Sequence, residues 1–410
     1  MRVHHLFSTF VLVVGVAACG GGGGGGSSSS APAGPGGGTA ATGQNVLTLK
    51  VEAGPASNIN VPFVSVTVCA PGSTSACQTI DHVLLDTGST GLRLINSVLN
   101  AGIVLPKQTD GSGNNVAECV VFADGYSWGS VRLADVTMGG KTASAIPIQI
   151  IADPAFPTVP AACSSYGPVA ENTVASFGAN GVLGLASFLQ DCGDYCARTA
   201  SDAAYYVCPS GICSPTTLSV ARQLQNPAGA LATENNGIIV ELPAVPPTGA
   251  ATVTGTLTIG IGTQSNNAVG SVTIFDLDTS GDAKTSFNGQ TLRAFFDTGS
   301  NGLFFPDSTI PLCGSSTNAP GFFCPAATLN FVATVLGASN GSSKGVNFSI
   351  ANAGLLVSGS STFTAFNNIG APADWAPVFD WGLPFFFGRR VVIAFEQQPT
   401  PAGAGPYVGF

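Results

Sequence analysis

Residues 292–300 read Leu-Arg-Ala-Phe-Phe-Asp-Thr-Gly-Ser, so that an apolar run ends on Asp297 and turns through Thr-Gly-Ser. Residues 82–89 read His-Val-Leu-Leu-Asp-Thr-Gly-Ser and repeat this arrangement around Asp86. A single copy of such a tetrapeptide is weak evidence, because it occurs by chance in roughly one chain in several hundred of this length. Two copies with matching apolar flanks instead predict a duplicated half, in which each copy carries one aspartate at the end of a strand.

The composition favours a two-domain chain rich in strands and turns. The 410 residues exceed one ordinary domain. Charged residues make up only 9%, whereas 54 glycines and 27 prolines are scattered between short apolar runs. The formal net charge of −9 argues against a nucleic-acid partner, whose phosphates would be repelled. The scarcity of titratable groups suits work in acid, although ordinary solubility explains it equally well.

The N-terminus has the features of an export signal. Arg2 supplies a positive start, residues 6–16 form a short apolar run, and residues 16–19 read Val-Ala-Ala-Cys. This sequence resembles the lipobox of bacterial lipoproteins, in which the cysteine is lipidated and becomes the mature N-terminus; the alternative is an ordinary signal peptide cut before Cys19. Lipidation would anchor the chain stably in a membrane. Gly20, in place of an aspartate, implies the outer membrane, facing the periplasm or the surface.

The segment after Cys19 predicts a flexible tether. Residues 20–38 consist of glycine, serine, alanine and proline, a composition that buries no core. We therefore divide the chain into a signal peptide (1–18), a tether (19–44), a first lobe (45–245) and a second lobe (246–410). Each lobe carries one Asp-Thr-Gly-Ser loop.

Export implies an oxidising compartment, and the ten cysteines that follow Cys19 are an even number, so up to five disulfides are expected. Two pairs of cysteines bracket short loops, which predicts the disulfides Cys69–Cys77 and Cys313–Cys324. The sequence alone does not pair the other six, which are Cys119, Cys163, Cys192, Cys196, Cys208 and Cys213. The last four weakly suggest a zinc ribbon, but their spacing fits it poorly, so no metal site is predicted.

Local patterns predict short strands and few helices. Alternating apolar residues predict strands at 46–51 and 62–68. An Asp-Gly pair at residues 124–125, between two apolar runs, predicts a hairpin turn. The best helix prediction is residues 216–224, which follow a Ser-Pro pair.

Few residue types are left to carry chemistry. His82 is the only histidine after the signal peptide, so a Ser-His-Asp hydrolase would depend on that ring and a histidine metal site would lack a second ligand. Asp86 and Asp297, on symmetry-related loops, would meet between the lobes and share a proton. Such a pair can accept a proton from water and donate one to a carbonyl oxygen, which is direct water attack on an amide. The alternative is a pair of ordinary turns at strand ends.

The ordered set of motifs resembles the pepsin-like aspartic proteases, from about residue 46 to residue 410. Residues 122–131 resemble the family's flap hairpin, and residues 181–185 (Gly-Val-Leu-Gly-Leu) resemble its Gly-Ile-Leu-Gly-Leu segment. Residues 381–395 are similar to the second lobe's counterpart. The resemblance implies a mostly β fold: a bilobal, pepsin-like double β-barrel with pseudo-two-fold symmetry and few short helices.

Two positions depart from that pattern. Phe122 stands where the family has a flap tyrosine, and Arg93 stands where it has a tryptophan that hydrogen-bonds to the tyrosine. The loss of both would weaken catalysis more than it would disturb the fold. Tyr126 and Trp128, in the same hairpin, are candidates to replace them.

We therefore expect a membrane-tethered aspartic endopeptidase that binds a peptide or protein between its lobes, needs no cofactor and is a monomer. The alternative is a catalytically silent pepsin-fold envelope protein that binds a peptide, a protein or a surface polymer. The candidate catalytic residues are Asp86 and Asp297, supported by Thr87, Gly88, Ser89, Thr298, Gly299 and Ser300. The candidate flap residues are Phe122, Asp124, Gly125 and Tyr126, and the candidate lipidation site is Cys19.

Overall fold

The computed structural model describes residues 43–167, 169–373 and 376–410. The predicted signal peptide, the lipidation site at Cys19 and nearly all of the predicted tether lie outside these residues.

Short strands dominate the described chain, and the mostly β prediction is confirmed. In chain order the strands are β1 (Val46–Val51), β2 (Pro62–Cys69), β3 (Cys77–Asp86), β4 (Thr90–Ile95), β5 (Val116–Val121), β6 (Gly125–Met138), β7 (Lys141–Ile151), β8 (Val169–Ala170), β9 (Gly181–Leu185), β10 (Tyr205–Val207), β11 (Ser214–Pro215), β12 (Gly237–Leu242), β13 (Val253–Ile259), β14 (Ile274–Asp276), β15 (Ala283–Phe287), β16 (Gln290–Phe296), β17 (Leu303–Phe304), β18 (Leu329–Leu336), β19 (Ser343–Ile350), β20 (Gly370–Ala371), β21 (Val378–Trp381), β22 (Arg389–Ala394), β23 (Pro399–Thr400), β24 (Gly403–Ala404) and β25 (Tyr407–Gly409).

Helices in the described ranges are short. They are α1 (Ala161–Ser164), α2 (Val174–Phe177), α3 (Gly193–Arg198), α4 (Ala353–Gly359) and α5 (Leu383–Phe386), with 3₁₀ turns at Asn96–Val98, Pro209–Gly211 and Val220–Arg222. No helix in this part of the chain has the length and hydropathy needed to cross a bilayer.

Two large sheets organise these strands. The larger has the order β11-β10-β5-β6-β7-β4-β9-β3-β2-β1-β13-β12-β22-β25-β14, and β8 pairs with β6 beside this path. The second has the order β19-β18-β15-β16-β21-β17-β20. The predicted boundary after residue 245 falls between β12 and β13, two antiparallel neighbours in the larger sheet, and remains a prediction.

The predicted duplication is visible in the pairing of the strands around each aspartate. β3, which ends on Asp86, pairs in parallel with β9, and β9 pairs antiparallel with β4. β16, which ends one residue before Asp297, pairs in parallel with β21, and β21 pairs antiparallel with β17. In addition β4 pairs in parallel with β7, as β17 does with β20. The same four-strand arrangement is therefore built twice, as in the pepsin-like fold.

Aromatic packing supports the arrangement in the second half. In the second half the rings of Phe287, Phe305, Phe348, Phe379 and Trp381 form one continuous cluster, with neighbouring centroids 4.2–5.7 Å apart. Such aromatic contacts add to the burial of large apolar area. β21 contributes two of these rings, so the strand that runs beside the approach to Asp297 is fixed by the core.

The predicted helix at 216–224 is wrong. Only the 3₁₀ turn Val220–Arg222 forms there, because partners outside the segment take its backbone amides. The N–H of Thr216 donates to the carbonyl of Tyr205, and that of Leu224 donates to the Tyr205 hydroxyl at 2.7 Å. The bond of Leu224 replaces the one to the carbonyl of Val220 that a helix would need, whereas the N–H of Thr216 would be unpaired at the start of a helix.

Five disulfides join the ten cysteines after Cys19. The predicted pairs Cys69–Cys77 and Cys313–Cys324 are confirmed. The pairs that the sequence left open are Cys119–Cys163, Cys192–Cys196 and Cys208–Cys213, so the four cysteines of the weighed zinc ribbon are bonded to one another instead. A protein with five disulfides folds in an oxidising compartment.

Asn60 braces the first half against the second. Its amide nitrogen donates to the carbonyls of Asn301 and Phe366, each at 2.8 Å, and its amide oxygen accepts from the N–H of Phe366 at 2.7 Å. The residue is fully buried and adopts a left-handed φ of 54°. Because Asn301 directly follows the second Asp-Thr-Gly-Ser loop, this brace helps to set the position of that loop.

We predict that Asn60→Ala lowers the free energy of unfolding by about 3–5 kcal/mol, because it leaves several buried groups without partners. Denaturant unfolding measures the change. Asn288→Ala is the control, since Asn288 also has a left-handed φ (48°) but is exposed and makes one long hydrogen bond, 3.4 Å to Asp307. The control should lose less than about 1 kcal/mol. Equal losses in the two variants would contradict the role given to Asn60.

Candidate active site

The strands deliver the two predicted aspartates to one place. Asp86 is the last residue of β3 and stands beside Gly184 of β9. Asp297 follows Phe296, which stands beside Trp381 of β21. Both aspartate side chains are fully buried. Burial of a carboxylate is costly unless hydrogen bonds compensate for the lost water.

Hydrogen-bond donors from the same loop compensate each carboxylate for the loss of water. Oδ1 of Asp86 accepts from the N–H of Gly88 at 2.7 Å and of Ser89 at 3.2 Å, and Oδ2 accepts from the Ser89 hydroxyl. In the second loop, Oδ1 of Asp297 accepts from the N–H two residues on, at 2.8 Å, and Oδ2 from the hydroxyl three residues on, at 2.9 Å. The glycine N–H and the serine hydroxyl of the motif therefore donate to the aspartate in the same way in both loops.

The two threonines hold the loops to each other. The Thr87 hydroxyl donates to the carbonyl of Phe296 at 2.8 Å and accepts from the N–H of Thr298 at 3.0 Å. Reciprocally, the Thr298 hydroxyl donates to the carbonyl of Leu85 at 2.6 Å and accepts from the N–H of Thr87 at 3.1 Å. These four buried hydrogen bonds lock the ends of β3 and β16 together.

The two glycines let each loop approach the opposite carboxylate. A Cβ placed on Gly88 would lie 2.7 Å from Cγ of Asp297. A Cβ placed on Gly299 would lie 2.9 Å from Oδ1 of Asp86. Any larger residue would therefore push the carboxylates apart, so the motif requires glycine at both positions. All eight motif residues predicted from the sequence are brought together here.

The electrostatics are those of a coupled acid pair. Burial raises the pKa of Asp297 well above its ordinary value, and the nearby carboxyls of Asp86 and then Asp380 raise it further, against the Ser300 hydroxyl. Two buried carboxyls this close cannot both ionise readily, so they titrate jointly. Chemically, the pair can accept a proton at one oxygen while it donates one at another.

A cavity of about 130 Å³ adjoins the first loop. Its walls include Thr87 and Gly88, Phe188 from the segment after β9, and Arg293 and Phe295 from β16. Most of this lining is apolar, with one ion pair, because Nη2 of Arg293 lies 2.6 Å from Oδ2 of Asp282. Burial raises the pKa of Asp282 to about 6, although Arg293 opposes the shift. The cavity suits an apolar side chain beside the first loop, at Thr87 and Gly88.

The predicted flap hairpin forms, but its candidate residues do not line that cavity. β5 and β6 pair across the predicted turn, where the N–H of Phe122 donates to the carbonyl of Gly125 at 2.8 Å. The Phe122 ring is buried against Phe177, edge to face at 5.6 Å. Tyr126 and Trp128 are buried together on the side of the Cys119–Cys163 disulfide, and the Trp128 indole N–H donates to the carbonyl of Phe156 at 3.0 Å. Trp128 therefore packs in this cluster, away from the aspartates.

Both edges of this hairpin are paired. β10, from a cysteine-rich insertion at residues 191–213, adds to β5, and β8 adds to β6. The disulfide Cys119–Cys163 ties β5 to the segment that precedes β8. Further hydrogen bonds link Ser127 to the carbonyl of Glu171 and the N–H of Trp128 to Asn172. The hairpin is therefore held in the sheet by strand pairing at both edges and by the disulfide.

Arg93 makes a polar link between the strand after the first loop and the hairpin. Its guanidinium is buried in β4, 2.7 Å from Oε1 of Glu118 in β5 and 3.3 Å from Oδ2 of Asp191. It also donates to the carbonyl of Thr90 at 2.9 Å. The Tyr205 hydroxyl donates to Asp191 at 2.7 Å. A buried ion-pair network therefore joins β4, β5 and the segment that carries Asp191.

Sequence reasoning missed one residue at the site. Asp380, in β21, is 2% exposed and interacts with both Asp86 and Asp297. The available signal was that Asp380 is the only acidic residue within the long apolar stretch 378–395. A carboxyl in such a run is unusual unless it has a partner.

Glu171, directly after β8, is a titratable group packed beside the hairpin, where its N–H donates to the carbonyl of Tyr126. Burial raises its pKa from 4.5 to about 10, and the charge of Asp124 at the hairpin turn adds to the shift. The folded state therefore keeps Glu171 protonated at neutral pH, whereas the unfolded chain ionises it. The stability tied to this group is complete below about pH 4.5 and is lost progressively as the pH rises toward 10.

We predict that Glu171→Gln stabilises the protein increasingly as pH rises, because glutamine keeps the shape and cannot ionise. The melting temperature of the variant minus that of the wild type should be near zero at pH 4 and reach on the order of 2–4 °C or more at pH 8. Glu241→Gln, which removes a partly exposed partner of Arg390, is the control and should show no such rise. A difference that does not change with pH would contradict the prediction.

Comparison with known proteins agrees with this geometry at the level of the fold. No curated protein matches the chain. Solved structures match in 354 chains, among them the aspartic proteinase from Irpex lacteus, at 16% identity and a TM-score of 0.52 over 89% of this chain and 96% of that one. This likeness shows the pepsin-like fold. A family model described as "Protein of unknown function (DUF3443)" matches residues 41–410, and the chain belongs to that family.

Proposed function

We propose that this protein is an aspartic endopeptidase that hydrolyses peptide bonds with a water molecule activated between Asp86 and Asp297. The observation that carries the proposal is the reciprocal packing of the two loops, in which each glycine lies against the other loop's carboxylate. A pair of ordinary turns would need neither the fully buried carboxyls nor the matched donors on each.

The reaction follows from one shared proton. The ionised member of the pair accepts a proton from water, and the protonated member donates to the carbonyl oxygen of the substrate as the tetrahedral intermediate forms. We assign neither role to a single residue, because the pair titrates jointly. The substrate is a peptide or protein held between the lobes, with an apolar side chain in the cavity beside Thr87 and Gly88.

Asp86→Asn and Asp297→Asn should each lower kcat/KM by about a thousandfold or more. Each replaces one carboxyl by an amide, which cannot share a proton with the remaining carboxyl. The assay is cleavage of denatured casein from pH 3 to 7, with and without a statine-type inhibitor. Asp194→Asn, in an exposed ion pair with Arg198, is the matched control and should keep its activity. Cleavage that survives in both single variants would overturn the proposal.

We further propose that the enzyme is a lipoprotein of the outer membrane, tethered through lipidated Cys19 and the glycine-rich segment, and that it works as a monomer. The five disulfides agree with an exported protein, and the lipobox-like sequence Val-Ala-Ala-Cys supports the anchor.

Cys19→Ala should move the protein from the membrane fraction to the soluble envelope fraction, because the acyl chains would be lost. Fractionation and incorporation of labelled palmitate measure this change. Cys69→Ala together with Cys77→Ala, which removes a disulfide elsewhere, is the control and should leave palmitate labelling intact. Labelling that persists in Cys19→Ala would contradict the anchor.

One observation favours a second function. The hairpin that would have to admit substrate is paired at both edges and tied by Cys119–Cys163, and Phe122 supplies no hydroxyl there. A silent pepsin-fold envelope protein that binds a peptide, a protein or a surface polymer would have this property. Binding of the statine-type inhibitor without any cleavage across pH 3 to 7 would favour this second function.

A further inference from the structure

A second and larger cavity, of about 540 Å³, lies between the two ends of the second sheet, whose edge strands are β19 and β20. Residues 330–332 of β18 and 346–349 of β19 form one wall. Leu303 of β17, Asn367, and residues of α5 and β22 form the other. Among the described residues that line it, none belongs to either Asp-Thr-Gly-Ser loop. The cavity is therefore distinct from the candidate active site, and its size is typical of sites for small organic molecules.

The wall of this cavity combines apolar surface with one charged side chain. The half-buried rings of Phe331 and Phe348 are stacked there, with centroids 5.2 Å apart, and Val332 is 64% exposed. Arg389 is the one charged residue in the described lining, which contains no aspartate or glutamate. The cavity is thus positively charged, although the formal net charge of the chain is −9.

Arg389 forms no ion pair within the residues that the structure describes. Its Nη1 donates to the carbonyl of Phe385, and its Cζ lies 4.5 Å from the centre of the Phe385 ring. The neighbouring Arg390 differs, because its Nη1 lies 2.7 Å from Oε2 of Glu241. A guanidinium has five N–H donors and stays charged, and burial of a charge without an opposite charge is costly. An anion in the cavity would compensate Arg389.

We propose that this cavity binds an amphiphilic monocarboxylate, whose carboxylate is held by Arg389 and whose apolar body packs against Phe331 and Phe348. The planar fork of a guanidinium matches a carboxylate, which accepts two parallel hydrogen bonds from it. One guanidinium balances one negative charge, so a monocarboxylate is favoured over a phosphate dianion. This binding is independent of the proposed proteolysis and uses neither aspartate loop.

Three small ligands test the two parts of this recognition. Octanoate and octan-1-ol share an apolar chain but differ in charge, whereas acetate has the carboxylate without the chain. In isothermal titration calorimetry of the purified full chain at pH 7, octanoate should bind at least about tenfold tighter than either of the others. A saturating statine-type inhibitor should leave the octanoate affinity unchanged. Absence of octanoate binding, equal affinity for octan-1-ol or acetate, or displacement by the inhibitor would overturn the proposal.

Two neighbouring arginines provide a matched pair of variants. Arg389→Gln should weaken octanoate binding about tenfold or more and leave octan-1-ol binding within about twofold, because only the charged head group loses its partner. Arg389→Lys, which keeps the charge without the fork, should give an intermediate loss. Arg390→Gln is the control, since Arg390 is paired with Glu241 and lies outside the cavity lining. Equal losses of octanoate affinity in Arg389→Gln and Arg390→Gln would show that Arg389 only packs over Phe385.

Val332 allows a test that leaves Arg389 in place. Because its side chain is largely exposed, the fold tolerates a charge there. Val332→Asp should weaken octanoate binding about threefold or more, and Val332→Lys should strengthen it by a similar factor, because the added charge repels or attracts the carboxylate. Leu355→Asp and Leu355→Lys, at a 70% exposed position of α4 outside the cavity lining, should change it little. Octanoate affinities that do not follow the sign of the charge at position 332 would contradict this site.

Discussion

The reciprocal hydrogen bonds of Thr87 and Thr298 are the constraint on which the site depends. Each hydroxyl donates to the carbonyl of the residue before the opposite aspartate and accepts from the N–H of the opposite threonine. The ends of two strands from different halves are thereby held at one separation. A misplacement of about 1 Å between reacting groups lowers the reaction rate strongly. These hydrogen bonds therefore matter more for catalysis than for stability. The two strand pairs that lead to these loops, β3 with β9 and β16 with β21, have the same arrangement because each pair positions the same tetrapeptide.

Burial gives the locked carboxyls their acid–base properties. Because the carboxyls are buried, each depends on hydrogen-bond donors from its own loop, and the charge of Asp86 raises the pKa of Asp297. The symmetric frame also contains an asymmetric element, since Asp380 occupies the place that Val182 has in the first half. This third carboxyl lies on the strand beside the approach to Asp297. The two catalytic candidates therefore have different surroundings although their tetrapeptides are identical.

The first half differs from a simple copy of the second through its insertion. The cysteine-rich segment supplies β10 and Asp191, so it adds a strand to the hairpin and a carboxylate to the buried Arg93–Glu118 pair. Removal of one partner from a buried network of this kind is expensive, because the others are left uncompensated. The insertion thus adds backbone pairing and an ion pair to the hairpin. The polar link through Arg93 joins β4, the strand after the first loop, to β5 of the hairpin.

The sequence by itself determined the local part of this protein. It determined the two aspartate loops, strands such as β1, the hairpin turn near Gly125 and the disulfides Cys69–Cys77 and Cys313–Cys324, because turn chemistry and apolar alternation act over a few residues. Only the tertiary structure decided the remaining disulfides, the absence of a helix at 216–224, where the N–H of Leu224 donates to the Tyr205 hydroxyl, and the place of Asp380 beside a loop far earlier in the chain. Those features depend on groups brought together by strand pairing across the whole fold, and no local pattern encodes such distances.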